Sequence, residues 1–116
     1  MDMETIEQWV GAPLPPDYRT ILVAHAESFF ANDLALIYGQ NDFIERNETY
    51  EIKEYCPGYV TIGDDSGGRQ FLLSLETGRV LMADAGWLNP ADAEHVADNA
   101  SGWLVDGCPI PGEEDL

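Results

Sequence analysis

The apolar and polar positions fall into two periods along the chain, and the two-residue period is clearest between Tyr59 and Met82. Val60 and Ile62 alternate with Tyr59 and Thr61, Phe71, Leu73 and Leu75 alternate with Leu72 and Ser74, and Val80 and Met82 repeat the spacing. That pattern predicts three strands of an antiparallel meander with one buried face. Gly63-Asp64-Asp65-Ser66-Gly67-Gly68 joins the first two strands and Glu76-Thr77-Gly78 the next two, with Gly78 in the left-handed position of a three-residue hairpin loop. Gly63, Gly67, Gly68 and Gly78 are therefore expected as structural turn residues. Gly67 and Gly68 are expected at backbone angles that a β-branched side chain cannot reach.

Helical spacing governs the flanks. Ile6, Trp9 and Val10 predict a helix over Met3 to Val10, capped by Asp2 or Thr5 and closed by Gly11. The prolines at 13, 15 and 16 force an extended passage, and Pro16 opens a second helix whose buried stripe is Tyr18, Ile21, Leu22, His25 and Phe29. His25 in that stripe reads as a core or boundary histidine. Leu34 to Tyr38 reads as a strand closed by Gly39, with Asp42 capping a short helical turn through Phe43 and Ile44. Beyond the meander, Asn89-Pro90 predicts the start of a helix with Ala93, Val96, Ala97, Ala100 and Leu104 on its apolar face. Gly102 weakens it, and it is expected to end near Gly107. Trp9 and Trp103 fall on apolar stripes and read as core, and Trp87 reads as packing between the meander and the last helix. The chain, residues 1–116, is expected to form one α+β domain, a twisted antiparallel sheet with flanking N-terminal and C-terminal helices, and residues 108–116 a loose acidic tail.

Charge narrows the function. Five basic residues face 22 acidic ones, a net charge of −17 that repels nucleic acid and anionic membrane and attracts basic partners. From Asp42 the acids recur every three residues through Glu45, Glu48, Glu51 and Glu54. Such a stripe is either a solvated face or a docking surface for a basic protein. With Asp64 and Asp65, these glutamates flank the first meander strand, so Glu45, Glu48, Glu51, Glu54, Asp64 and Asp65 form the candidate partner-binding set. Catalytic, metal and cofactor roles find no support. Cys56, Cys108, His25 and His95 lack zinc-ligand spacing, Asp64 and Asp65 lack the EF-hand pattern, and the phosphate-cradling glycine motifs are absent. Gly63 to Gly68 has a superficial likeness to the segment around a trypsin-like nucleophile, but a chain of this size cannot supply the two barrels and third triad member. An acidic N-terminus without an apolar stretch after it, short apolar runs and two cysteines without a disulfide framework fit a cytoplasmic protein with reduced thiols.

Taken in order, several motifs resemble one family. Ile6-Glu7-Gln8-Trp9-Val10-Gly11 through Leu14-Pro15-Pro16-Asp17-Tyr18-Arg19, then Asn47-Glu48-Thr49-Tyr50-Glu51-Ile52, Pro57 to Gly68, and Leu75-Glu76-Thr77-Gly78-Arg79-Val80 resemble the SUKH superfamily, which includes yeast cell-wall-assembly regulators and many bacterial immunity proteins. The resemblance covers residues 4 to 105. It implies helices packed on an antiparallel sheet and a non-enzymatic role, that of an immunity protein neutralising a cognate nuclease-like or deaminase-like toxin. Charge adds that the toxin is basic. The alternative is a regulatory or small-ligand-binding module of the same fold. Oligomeric state has no signal in the sequence.

Overall fold

The computed structural model describes residues 2–112. Helices α1 (Met3–Val10) and α2 (Pro16–Ala24) come first, followed by strands β1 (Phe29–Phe30) and β2 (Leu36–Ile37) and helices α3 (Gln40–Thr49) and α4 (Ile52–Tyr55). The meander strands β3 (Tyr59–Asp64), β4 (Arg69–Ser74) and β5 (Val80–Asp84) come next, then a 3-10 turn at Pro90–Asp92, strand β6 (Glu94–Ala97) and helix α5 (Ala100–Val105). All six strands pair antiparallel in the order of the chain, β1 to β6. The expected α+β arrangement is present, with the meander at its centre.

One face of the sheet carries the main core. Val60, Phe71, Leu73, Val80 and Met82 pack with Ile6, Tyr18, Leu22 and Trp103 from the helices. The Trp103 ring meets Phe71 edge-on at 4.7 Å between centroids, a favourable aromatic geometry. A smaller cluster of Ile52, Cys56, Leu72 and Ala83 forms separately. Leu72 pairs with Thr61 and Leu81, one residue out of step with Leu73, so this cluster lies on the opposite face of the sheet.

Helix α1 starts and stops, and α2 starts, as local chemistry dictates. Asp2 accepts the Thr5 amide at 2.8 Å, Gly11 closes α1 at φ +82°, and Pro16 stands in the first turn of α2. The stripe expected to continue to Phe29 is cut short at Ala24. Gln40 caps the end, its side chain donating to the Leu22 and Val23 carbonyls, while the amides of Gln40 and Asn41 take those of His25 and Ala26. His25 is already extended, and Phe29 begins a strand. The approach is so close that a Cβ on Gly39 would lie 2.3 Å from the Glu27 carbonyl carbon. Gly39 is also the residue that precedes α3, which runs much further than the short turn expected. Asp42 is therefore not its cap; its carboxylate accepts from Ser28 Oγ at 2.6 Å.

The helix expected from Asn89 onward is three elements. Pro90 opens only a 3-10 turn, and residues 94–97 pair with β5. The open edge of β5 offers ladder hydrogen bonds that a helix here would forgo, and Val96 and Ala97 still reach the main core from the strand. Asn99 starts α5, accepting the Gly102 amide at 2.6 Å, and the helix gives out at Val105. The loose tail is corrected at its start: Cys108 and Ile110 are buried in the main core, and Trp103 Nε1 donates to the Pro109 carbonyl. Residues 113–116, the rest of that tail, lie outside the described residues.

Candidate functional site

The glycine-rich turn is stapled by its own carboxylates. Asp64 Oδ1 accepts the Ser66 amide at 2.9 Å, and Asp65 Oδ1 accepts the amides of Gly67 and Arg69 at 2.8 and 2.9 Å. Asp65 Oδ2 pairs with Arg69 Nε at 2.6 Å. Burial pushes the Asp65 carboxyl up, but the Arg69 and Gly67 amides with the guanidinium outweigh it and hold the group below its ordinary range. Gly68 does need its glycine, at φ +98°, as does Gly78 at +77°. Gly67 is corrected, since its φ is not positive and a Cβ there would meet only Asp65 at ordinary contact distance. Gly63 is corrected too: it sits inside β3 at a break in register, where a Cβ would lie 2.3 Å from the Leu36 carbonyl oxygen. Close approach of β2, not turn geometry, demands glycine there.

The six candidate acids divide between two places. Glu48, Glu51 and Glu54, all exposed, line one depression of about 370 Å³ together with Trp9 and Lys53. Glu45, also exposed, precedes Glu48 by about one turn of α3. Lys53 is the cation within the depression, and its own chain holds it: its Nζ sits 4.2 Å from the Trp9 ring centroid and donates to the Trp9 carbonyl. Asp64 and Asp65 lie at the other end of β3, roughly 16 Å along the strand from Tyr59. Asp64 is half-buried and accepts the Tyr38 hydroxyl at 2.7 Å, and Asp65 is 6% exposed. Both serve the turn, and Asp65 in particular offers no free face.

Two buried residues hold α3, and with it Glu45 and Glu48, against the sheet: Phe43 packs into the main core and Asn47 bonds the backbone of β3. Asn47 is fully buried; its Nδ2 donates to the carbonyls of Phe43 and Thr61 at 2.9 and 3.0 Å, and its Oδ1 accepts the Thr61 amide at 2.8 Å. Along β3, strand β2 pairs only at Gly63 and Asp64, so the Asn47 amide stands in for a strand neighbour at Thr61. Beside it, Thr61 Oγ1 donates to Gln70 Oε1 at 2.7 Å, and the buried Tyr38 hydroxyl lies 3.1 Å from the same oxygen. Burial and the Asp64 carboxylate raise the Tyr38 hydroxyl far above its ordinary value, so it stays a proton donor. No acid stripe reading could find Asn47; the signal was a lone amide on the apolar side of a charged helix.

The residues considered for catalysis are not assembled. Ser66 Oγ donates to the Leu34 carbonyl, and His25 Nδ1 bonds the Ile21 carbonyl while its ring stacks on Phe29. Cys56 and Cys108 are free, buried thiols, raised by burial, Cys108 to about 12. Among the described residues no three His, Cys, Asp or Glu groups come together as metal ligands, and no helix is long and apolar enough to cross a membrane. Trp103 is buried and Trp9 half-buried, but Trp87, expected to pack, is 65% exposed. It stands on the loop after β5, beside a groove that also involves Tyr50 and Tyr55.

Residues 2–106 match the family model described as SMI1 / KNR4 family (SUKH-1). No curated protein matches the chain.

Proposed function

The chain belongs to the SMI1 / KNR4 family (SUKH-1), and from that premise we propose that it is an immunity protein that binds and neutralises a cognate bacterial toxin through an acidic surface. The observation that carries the reading is the exposed cluster of Glu48, Glu51 and Glu54 around one depression, on a chain of net charge −17. Glu45 extends this surface along α3, whereas Asp64 and Asp65 are taken up by the glycine-rich turn and stand outside it. The toxin is a basic domain, nuclease-like or deaminase-like, whose positive substrate-binding groove this surface covers. Opposite charge speeds the encounter, and a few packed contacts then hold the complex. Inhibition is by occlusion, with no chemical step on this chain, which accords with the separate bonding of Ser66 and His25. The protein works in the cytoplasm, where the toxin meets its substrate and the two thiols stay reduced.

Co-expression tests this directly. If the gene neighbouring this one encodes a basic toxin domain, cells expressing that domain are expected to survive only with this protein present, and the inactive toxin is expected to form a stoichiometric complex with it. Death despite folded protein, with no complex, would end the proposal. A regulatory or small-ligand module is the second reading, favoured by the groove near Trp87, whose volume of about 690 Å³ is within the range of ligand pockets.

A further inference from the structure

The groove of about 690 Å³ lies between the α3–α4 junction and the loop following β5. Tyr50, Tyr55 and Trp87 supply aromatic surface, Leu88 adds an apolar patch, Glu51 supplies the carboxylate, and no basic side chain lines it. Tyr55 and Trp87 are 55% and 65% exposed. The indole is nonetheless held. Trp87 Nε1 donates to Asp92 Oδ2 at 2.9 Å, its amide donates to the Asp84 carbonyl at 2.9 Å, and Asn89 Nδ2 steadies the same Asp92 oxygen at 3.3 Å. A pre-positioned aromatic face loses little freedom when something packs on it.

Those lining groups select a cation. An anion meets the Glu51 carboxylate in a lining without a basic side chain, and a neutral apolar ligand leaves that carboxylate unpaired as it loses water. Among cations, a guanidinium matches best, because its plane stacks on indole or phenol and its fork of N–H donors fits a carboxylate. The groove is open to solvent, which suits a side chain projecting from another protein's surface. Glu51 also lines the depression that holds Glu48 and Glu54, so the groove continues the acidic surface. We propose that this groove receives an arginine side chain presented by a protein partner, its guanidinium stacked on Trp87 and paired with Glu51. The inference rests on the reading of this chain as a binder of a basic protein and names where one dominant contact is made.

Amide and indole NMR spectra of the full chain, titrated with a capped Ser-Gly-Arg-Gly-Ser peptide, test it without any toxin. The arginine peptide is expected to move the Trp87 indole N–H, with the buried Trp103 indole as the fixed internal reference. The matching lysine peptide is expected to bind about threefold or more weakly, and the uncharged citrulline peptide not measurably. Glu51→Gln and Trp87→Ala should each weaken the arginine response about fivefold or more, while Trp87→Phe, which keeps a ring, should retain part of it. Equal responses to arginine and citrulline peptides, or an unmoved Trp87 indole at roughly 50 mM arginine peptide, would overturn the proposal. Such a failure leaves toxin neutralisation standing. Failed neutralisation with an intact arginine response would remove the immunity reading and leave the groove.

Discussion

Replacing Asn47 with alanine removes the amide that completes the β3 ladder, and the loss can be worked from the bonds it makes. The side chain is fully buried and makes three hydrogen bonds of 2.8 to 3.0 Å, two of them to the amide and carbonyl of Thr61. Alanine leaves those two backbone groups buried and unsatisfied, at about 1 to 3 kcal/mol each, so the variant should lose roughly 3 to 5 kcal/mol. At about 4 °C per kcal/mol for a chain of this length, the melting midpoint should fall by roughly 12 to 20 °C. Asn47→Asp sharpens the test. Aspartate keeps the acceptor for the Thr61 amide but turns a carboxylate toward the carbonyls of Phe43 and Thr61, so its folded-state pKa must rise above the unfolded value near 3.9. A raised carboxyl pKa makes the deficit full above the folded pKa, shrinking as pH falls through it toward the unfolded value, where the protonated acid can donate. Thermal melts followed by circular dichroism from pH 7 to pH 4, each referred to the parent at the same pH, should therefore show the aspartate deficit narrowing while the alanine deficit holds. An alanine variant melting within about 2 °C of the parent, or two variants running parallel with pH, would refute the role given to Asn47.

Three further expectations concern the frame around the surface. Gly63→Ala should destabilise by about 2 to 4 kcal/mol, because its Cβ would lie 2.3 Å from a backbone oxygen of β2, and a melt unchanged from the parent would remove the close-approach argument. Asp65→Asn should lower stability by about 1.5 to 3 kcal/mol at pH 7; since the native carboxyl is held below its ordinary value, the stabilisation is present above the unfolded pKa and lost as pH falls through the folded one, so parent and variant should converge below about pH 4 in acid titrations. Cys56 and Cys108 are buried with raised pKa values, so a thiol reagent at pH 7 should label neither until denaturant unfolds the chain, and rapid native labelling would contradict the packing of Cys108 and Ile110 into the core.

The meander was legible because a strand's two-residue period leaves a direct trace in Val60, Phe71, Leu73, Val80 and Met82, all buried. The single buried face expected there is corrected: Thr61, Gln70, Leu72 and Ser74 on the other face are buried as well, where Ile52 of α4 and Cys56 pack with Leu72 and the Asn47 amide bonds Thr61. Residues 89–107 misled because Ala93, Val96, Ala97 and Ala100 satisfy helical spacing without excluding a short edge strand, and the cap at Asn99 was the overlooked sign of a break. The end of α2 and the glycines at 39 and 63 depend on backbone from other parts of the chain, which no local pattern reports. The same limit applies to the surface. Helical spacing brought Glu45 and Glu48 to light, but the depression joining Glu48, Glu51 and Glu54 to Trp9, and the groove beside Trp87, exist only once α4 and the loop after β5 are folded against the sheet.

The central claim is that the glutamates around α3 and α4 meet a basic toxin, and association kinetics test it most directly. Glu48→Lys with Glu54→Lys reverses two exposed charges while leaving Glu51, which the aromatic groove shares, untouched. Exposed carboxylates contribute little to folding, so the double variant should melt within about 2 °C of the parent. Across a salt series with the isolated toxin domain, its association rate should be about threefold to tenfold slower at low salt, with a visibly flatter salt dependence. Superimposable rates for the parent and a folded double variant at every salt concentration would contradict the account.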